Sequence, residues 1–291
     1  KELCKGICDV RTLRRLENYK TSTHRVIVCE LFEKLGLSGE LTRTELATSS
    51  QEAKELTVKI NNYANDEKWG DVKKMIVRLR ELIPIGITIN KQAILRKYVL
   101  YKWKNKEVND EEYYRQMKKI LEMTLPYEAF LKSGEKYLTY EEQSCIQNMM
   151  LGIKENNDEK MTCMQHFERI YNLYIDKGLQ ETVSGMYELI MGCVGSMYGN
   201  INEFDKADQY SKIILQGCLR FKRLMVLDGA IYDRWWNYSE RRKRGISVEK
   251  EFNDTEEIEK CILISKLNKR KNNEDFYKIK LKMIKNISNE A

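Results

Sequence analysis

Residues 194–214 read VGSMYGNINEFDKADQYSKII, with small residues where two antiparallel helices would cross closest. On a 34-residue helix–turn–helix frame, Val194, Gly195, Tyr198, Phe204, Ala207, Ser211 and Ile214 occupy positions 7, 8, 11, 17, 20, 24 and 27. Gly195 and Ala207 then face each other, and the larger residues close around them. Residues 53–84 repeat the pattern. With Ala53 at position 1, Leu56, Ile60, Tyr63, Trp69, Val72, Ile76, Leu79 and Pro84 fall at 4, 8, 11, 17, 20, 24, 27 and 32. Ile60 and Val72 replace the small pair here, so these two helices are expected further apart. Trp69 packs between them, and Pro84 stops the second.

Two such fits predict stacked hairpins of the tetratricopeptide type. Between them lie looser pairs, one ending at Pro126 and one spanning about 139–177. Beyond them come helices near 224–244, 254–268 and 273–287, making about five hairpins and a capping helix. The composition agrees: two prolines and fifteen glycines in 291 residues, 42% hydrophobic, and no alternating strand pattern. The predicted fold class is all-α, a right-handed tetratricopeptide-like solenoid. Its first helices line a concave groove suited to an extended peptide. Groove-facing candidates are Lys54, Asn61 and Asn65 in the first unit and Ser196 and Asn200 in the later one. Asn148 belongs to the third pair, and Arg234, Asn237 and Tyr238 to the fifth. Trp235 and Trp236 are read as core.

Upstream of a polar joint at 38–50, the chain reads Leu3-Cys4-Lys5-Gly6-Ile7-Cys8-Asp9-Val10-Arg11-Thr12-Leu13-Arg14-Arg15-Leu16-Glu17. Gly6 permits a tight turn, Ile7 plugs the angle between two helices, and Asp9 caps the next. Val10, Leu13 and Leu16 share an inner face, leaving Arg11, Thr12, Arg14 and Arg15 outward. That is how a recognition helix is built: an apolar back and a cationic front that can enter the major groove. Lys20 and Arg25 extend the basic surface, and a helix from Arg25 to Leu35 backs the unit.

The run Leu-x-x-Gly-Ile-Cys-x-x-x-x-Leu-x-x-Leu-Glu resembles the helix-turn-helix of Rgg/PlcR-type regulators, within the lambda-repressor-like (XRE) class. Leu3, Gly6, Ile7, Cys8, Leu13, Leu16 and Glu17 sit at matching positions, whereas Asp9, Arg14 and Tyr19-Lys20-Thr21-Ser22 depart from the family pattern. The resemblance implies a partial DNA-binding domain over 1–37, a linker over 38–50 and a repeat domain with a capping helix over 51–291. The chain starts at Lys1, so the domain's first helix is expected upstream in the parent protein. It further implies a transcription regulator that binds double-stranded DNA through that parent protein. A short signalling peptide in the groove and a homodimer go with it, with exposed apolar surface on the C-terminal helices as the expected interface. The alternative is a tetratricopeptide interaction module with a vestigial helix-turn-helix. A third reading, a Rap-type response-regulator antagonist, lacks the DNA-binding head seen here.

Enzyme chemistry finds little footing. There is no phosphate-cradling glycine loop, serine elbow or HExxH, and His24 and His166 are the two histidines. Eight cysteines sit singly on helix faces, and neither Cys4-x3-Cys8 nor Cys163-x2-His166 matches a zinc signature, so no metal or cofactor is expected. No run approaches the roughly 20 apolar residues of a membrane span. A cytoplasmic protein with free thiols is the expectation. The net charge of +7 concentrates at the N-terminus, in Arg241-Arg242-Lys243-Arg244 and in the stretch from Lys266 to Lys285. Solvated helix faces explain the second and third clusters.

Overall fold

The structure, a computed structural model, describes residues 2–18, 25–35, 45–65, 68–133, 138–152, 158–176, 186–220, 222, 224, 226–248 and 253–290. Among the described residues there are fourteen helices and no strand. The first two are α1 (Val10–Glu17) and α2 (Arg25–Lys34). Hairpins follow as α3 (Gln51–Asn65) with α4 (Trp69–Leu82), and α5 (Thr88–Lys104) with α6 (Asp110–Leu121). The short α7 (Tyr127–Ser133) precedes α8 (Tyr140–Gly152) and α9 (Asp158–Asp176). Then come α10 (Met186–Asn200) with α11 (Phe204–Arg220), α12 (Leu227–Lys243) with α13 (Asp254–Leu267), and α14 (Lys271–Glu290). The second helix of each hairpin packs on the first helix of the next. The first helices α5, α8, α10 and α12 also lie side by side in one row. That row is the inner layer of a tetratricopeptide-like solenoid.

Local chemistry sets the helix boundaries. Asn109 caps α6, its side chain accepting from the Glu112 amide at 2.8 Å, and Asp110, Glu111 and Glu112 favour the positive end of the helix. Thr139 and Glu142 cap α8 reciprocally: the Glu142 amide donates to Thr139 Oγ1 at 3.2 Å, and the Thr139 amide to Glu142 Oε2 at 2.8 Å. The cluster Arg241 to Arg244 closes α12, where cations suit the negative helix end. These four pair with Asp205, Asp254 and Glu240, as a solvated face should.

Burial follows the repeat frame. Ala53, Ile60, Val72, Ile76 and Leu79 are buried in the first hairpin, with Leu56, Tyr63 and Trp69 packed against them. Each fully buried Ile or Leu contributes about 1.5–3 kcal/mol. Val194, Tyr198, Phe204, Ala207, Ser211 and Ile214 are buried in the later one. A Cβ built on Gly195 would meet Tyr210 Cβ at 3.2 Å and the Ala207 carbonyl at 3.7 Å, so the expected close crossing is present. Trp235 is core with Ile258, Cys261 and Tyr277, its indole donating to Asp254 at 3.0 Å. The helix α7 escaped the sequence reading because seven residues are too few for a 3.6-residue period to register. It nonetheless buries Tyr127 and Phe130. His166 lies in this core beside Phe130, bonded to the Leu131 carbonyl at 3.2 Å.

The row of first helices is tight at Gly199, where a Cβ would come within 2.8 Å of Asn237 Oδ1 and 3.1 Å of the Trp236 ring. Gly199→Ala is expected to cost about 1–3 kcal/mol by overpacking, against the usual gain from Ala in a helix. Chemical denaturation of the purified variant measures this directly.

Candidate functional site

The head begins with a turn at residues 2–7, where Gly6 takes φ +80°. Asp9 caps α1 as expected, accepting the Thr12 amide at 2.7 Å and the Thr12 hydroxyl at 2.9 Å. Thr12 is therefore tied into the cap rather than free to reach outward. Arg11, Arg14 and Arg15 are exposed, whereas Val10, Leu13 and Leu16 are half-buried, which makes α1 an amphipathic helix with a cationic front. Cys4 of the turn and Cys29 and Leu31 of α2 are buried, and Lys34 of α2 donates to the carbonyls of Glu2 and Lys5. Lys20 lies outside the described residues; Arg25 opens α2, and its side chain also lies outside them.

The joint does not stay polar and solvated throughout. Leu46 is buried, and Asn90 of α5 grips Ala47, accepting from its amide at 2.8 Å and donating to its carbonyl at 3.1 Å. Glu45 is seated among Asn61 of α3 and Arg96 and Lys97 of α5. Lys97 also donates to Asn61 Oδ1 at 3.1 Å. Arg96 in turn makes a two-pronged bond to Glu141 of α8, at 2.6 and 3.0 Å. Burial works against the Glu45 carboxylate, yet Lys97 and Arg96 hold its pKa below the ordinary value. Asn61, expected in an open groove, is thus engaged by the chain's own Glu45.

Further along the row a cavity of about 390 Å³ opens between α8, α9, α10, α11, α12 and α14. That volume falls in the range of small-ligand sites, about 300–1,000 Å³. Its apolar wall comes from Met150, Leu151, Met197, Ile214, Val226 and Ala230. Its polar groups are Gln147, Lys160, Ser196, Asn200, Asp233, Arg270 and Asn273, with Cys193 beside Gln147. Ser196 donates to Asp233 Oδ2 at 3.0 Å. Burial lifts the Asp233 pKa to about 6, against the lowering effect of that hydroxyl. The rim is braced by the fully buried Asp228, which accepts from Ser265 at 2.8 Å, Asn273 at 3.0 Å and Arg270 at 3.2 Å, tying α12 to α13 and α14.

The structure brings Ser196 and Asn200 together in this cavity. It does not bring the other candidates there. Lys54 is exposed on α3, and Asn65 closes α3 with its side chain outside the described residues. Asn148 is buried on α8, and Asn237 is buried against Gly199. Arg234 pairs with Asp208 at 3.3 Å, and Tyr238 is buried under the Arg242 guanidinium, 5.6 Å from its ring centre. One residue is about 100° of helix rotation, and the lining residues are the neighbours Gln147 and Asp233. The spacing Gly229, Ala230, Asp233 on α12 and Gln147, Met150, Leu151 on α8 marks the lining faces at i, i+3 and i+4 intervals.

No protein-family model matches the chain, and no curated protein sequence matches it either. Solved structures do. PlcR of Bacillus thuringiensis, crystallised with the peptide PapR7 and DNA, aligns with a TM-score of 0.61 at 13% identity, over 94% of this chain and 91% of that one. ComR from S. thermophilus, crystallised with DNA and its signalling peptide ComS, aligns with a TM-score of 0.51 at 15% identity, over 96% and 92%. The chain shares with both an all-helical fold of a helix-turn-helix followed by a tetratricopeptide-like body.

Proposed function

We propose that this chain is a DNA-binding transcription regulator of the Rgg/PlcR type, whose repeat body senses a short peptide. The observation that carries the reading is the pairing, in one chain, of a cationic capped helix with a cavity in the inner layer of a solenoid. Residues 1–37 form the DNA-reading head, with Arg11, Arg14 and Arg15 at base edges and phosphates. Residues 51–291 form the sensing body, and the cavity around Ser196 and Asn200 holds the peptide. That PlcR and ComR were crystallised with DNA and a peptide supports the same partners here. Leu263 and Leu267 on α13 and Phe276, Ile279 and Met283 on α14 are exposed, which supports a homodimer formed through the C-terminal helices. No helix among the described residues is long and apolar enough to cross a membrane. A regulator that reads DNA would act in the cytoplasm.

The test is selection of fragments from the organism's own genome by the purified protein. The expected result is enrichment of a few loci, with affinity falling steeply as salt rises. Retention of fragments without sequence preference would overturn the DNA-reading role and leave the interaction-module alternative.

A further inference from the structure

Asp233 stands out in the cavity because its carboxylate is the one acidic group in a lining that otherwise carries cations, amides and apolar side chains. Among the described residues its hydrogen-bond partner is the Ser196 hydroxyl, on Oδ2, and it enters no ion pair. Of the two cations in the lining, Arg270 is held by Asp228, and Lys160 comes from α9. A carboxylate largely withdrawn from water with one hydroxyl partner and no ion pair is costly, and an incoming cation would relieve that cost with a charge-assisted hydrogen bond. The space beside it is open. Gly192 on α10 and Gly229 on α12 both line the cavity, and a Cβ built on either meets nothing within 4 Å. A ligand can therefore lie against bare helix backbone with its cation at Asp233 and its stem along Met197, Val226 and Ala230.

We infer that Asp233 is a specificity-determining residue that selects a ligand bearing a primary ammonium or guanidinium group on an apolar stem. This rests on the peptide-sensing reading above, in which the cation is a free amino terminus or a Lys or Arg side chain. A free amine would present the same chemistry.

The probe is a synthetic random heptapeptide library, in one arm with free and in another with acetylated amino termini, passed over immobilised full-length protein and read by mass spectrometry. Wild type should retain peptides enriched roughly ten- to a hundredfold in a free amino terminus or in Lys or Arg at one position. Asp233→Asn keeps an acceptor for Ser196; it should lose that enrichment while selecting the same apolar residues. Gly192→Leu, whose Cβ meets nothing within 4 Å and whose side chain takes up space in the cavity, should retain none and unfold close to the wild-type midpoint. Cation enrichment that survives in Asp233→Asn, or its absence in wild type, overturns the inference. If wild type retains no peptide at all, the peptide reading fails by itself. Asp233 is then tested with agmatine and hexylamine, which should raise the thermal midpoint of wild type and leave Asp233→Asn unmoved. No rise in wild type overturns it.

Discussion

Glu141→Ala is expected to destabilise the protein by about 3–5 kcal/mol, because it leaves the Arg96 guanidinium buried without its main partner. Burial alone would lower the Arg96 pKa, but Glu141 raises it above the ordinary value, so the charge persists in the folded state. Glu45, 3.9 Å away, is shared with Lys97 and compensates poorly. Removing both charges as Arg96→Met with Glu141→Leu should recover most of the loss, since the cost belongs to the orphaned ion and not to the missing pair. Urea unfolding of the three proteins measures this, and a single-variant loss below about 1 kcal/mol would mean the pair is solvated. Glu45 adds a pH dependence. Its folded pKa is depressed, so its contribution is present above the ordinary carboxylate value of 4.5 and is lost as pH falls through the lowered one. Glu45→Gln should therefore flatten the acid limb of the stability curve.

The second large effect concerns the head. Replacing Arg11, Arg14 and Arg15 together by Ala should lower affinity for a selected site by on the order of 10²- to 10⁶-fold, since each bidentate arginine is worth about 1–3 kcal/mol and every 1.4 kcal/mol is tenfold. The salt dependence should weaken in step, by about 0.9 in log–log slope for each phosphate that is no longer neutralised. All three side chains are exposed, so the thermal midpoint should hardly move. Fluorescence anisotropy on a labelled site reads both quantities. Unchanged affinity would place the DNA-binding surface elsewhere on the chain.

The fold was legible because repeat packing leaves a strong trace. Gly195 opposite Ala207, and Trp69 and Pro84 at their frame positions, are enough to phase two hairpins, whereas the looser pairs between them left the short α7 unread. The cap at Asp9 and the turn at Gly6 were equally readable, since each depends on residues within four of itself. The cavity was legible only where a phased frame existed, at Ser196 and Asn200. On α8 and α12 the frame was loose, and an error of one residue exchanges Gln147 for Asn148 and Asp233 for Arg234. Lys160 comes from α9, Asn273 from α14 and Arg270 from the turn before α14, outside the row of first helices, and their approach is set by tertiary packing that local spacing does not encode. The docking of Glu45 on Asn61 and Lys97 has the same character. It depends on a partner 52 residues away in sequence.

Under the proposed function, occupancy of the cavity controls DNA binding by α1. It is tested by titrating a genomic site with the purified protein, with and without the peptide fraction of the organism's spent culture medium, in wild type and in Gly192→Leu. The expected result is a change in wild-type DNA affinity of at least about fivefold on adding the fraction, within the usual coupling of 1–3 kcal/mol, and none in the filled variant. An affinity that ignores the fraction in wild type, or shifts equally in Gly192→Leu, would contradict it.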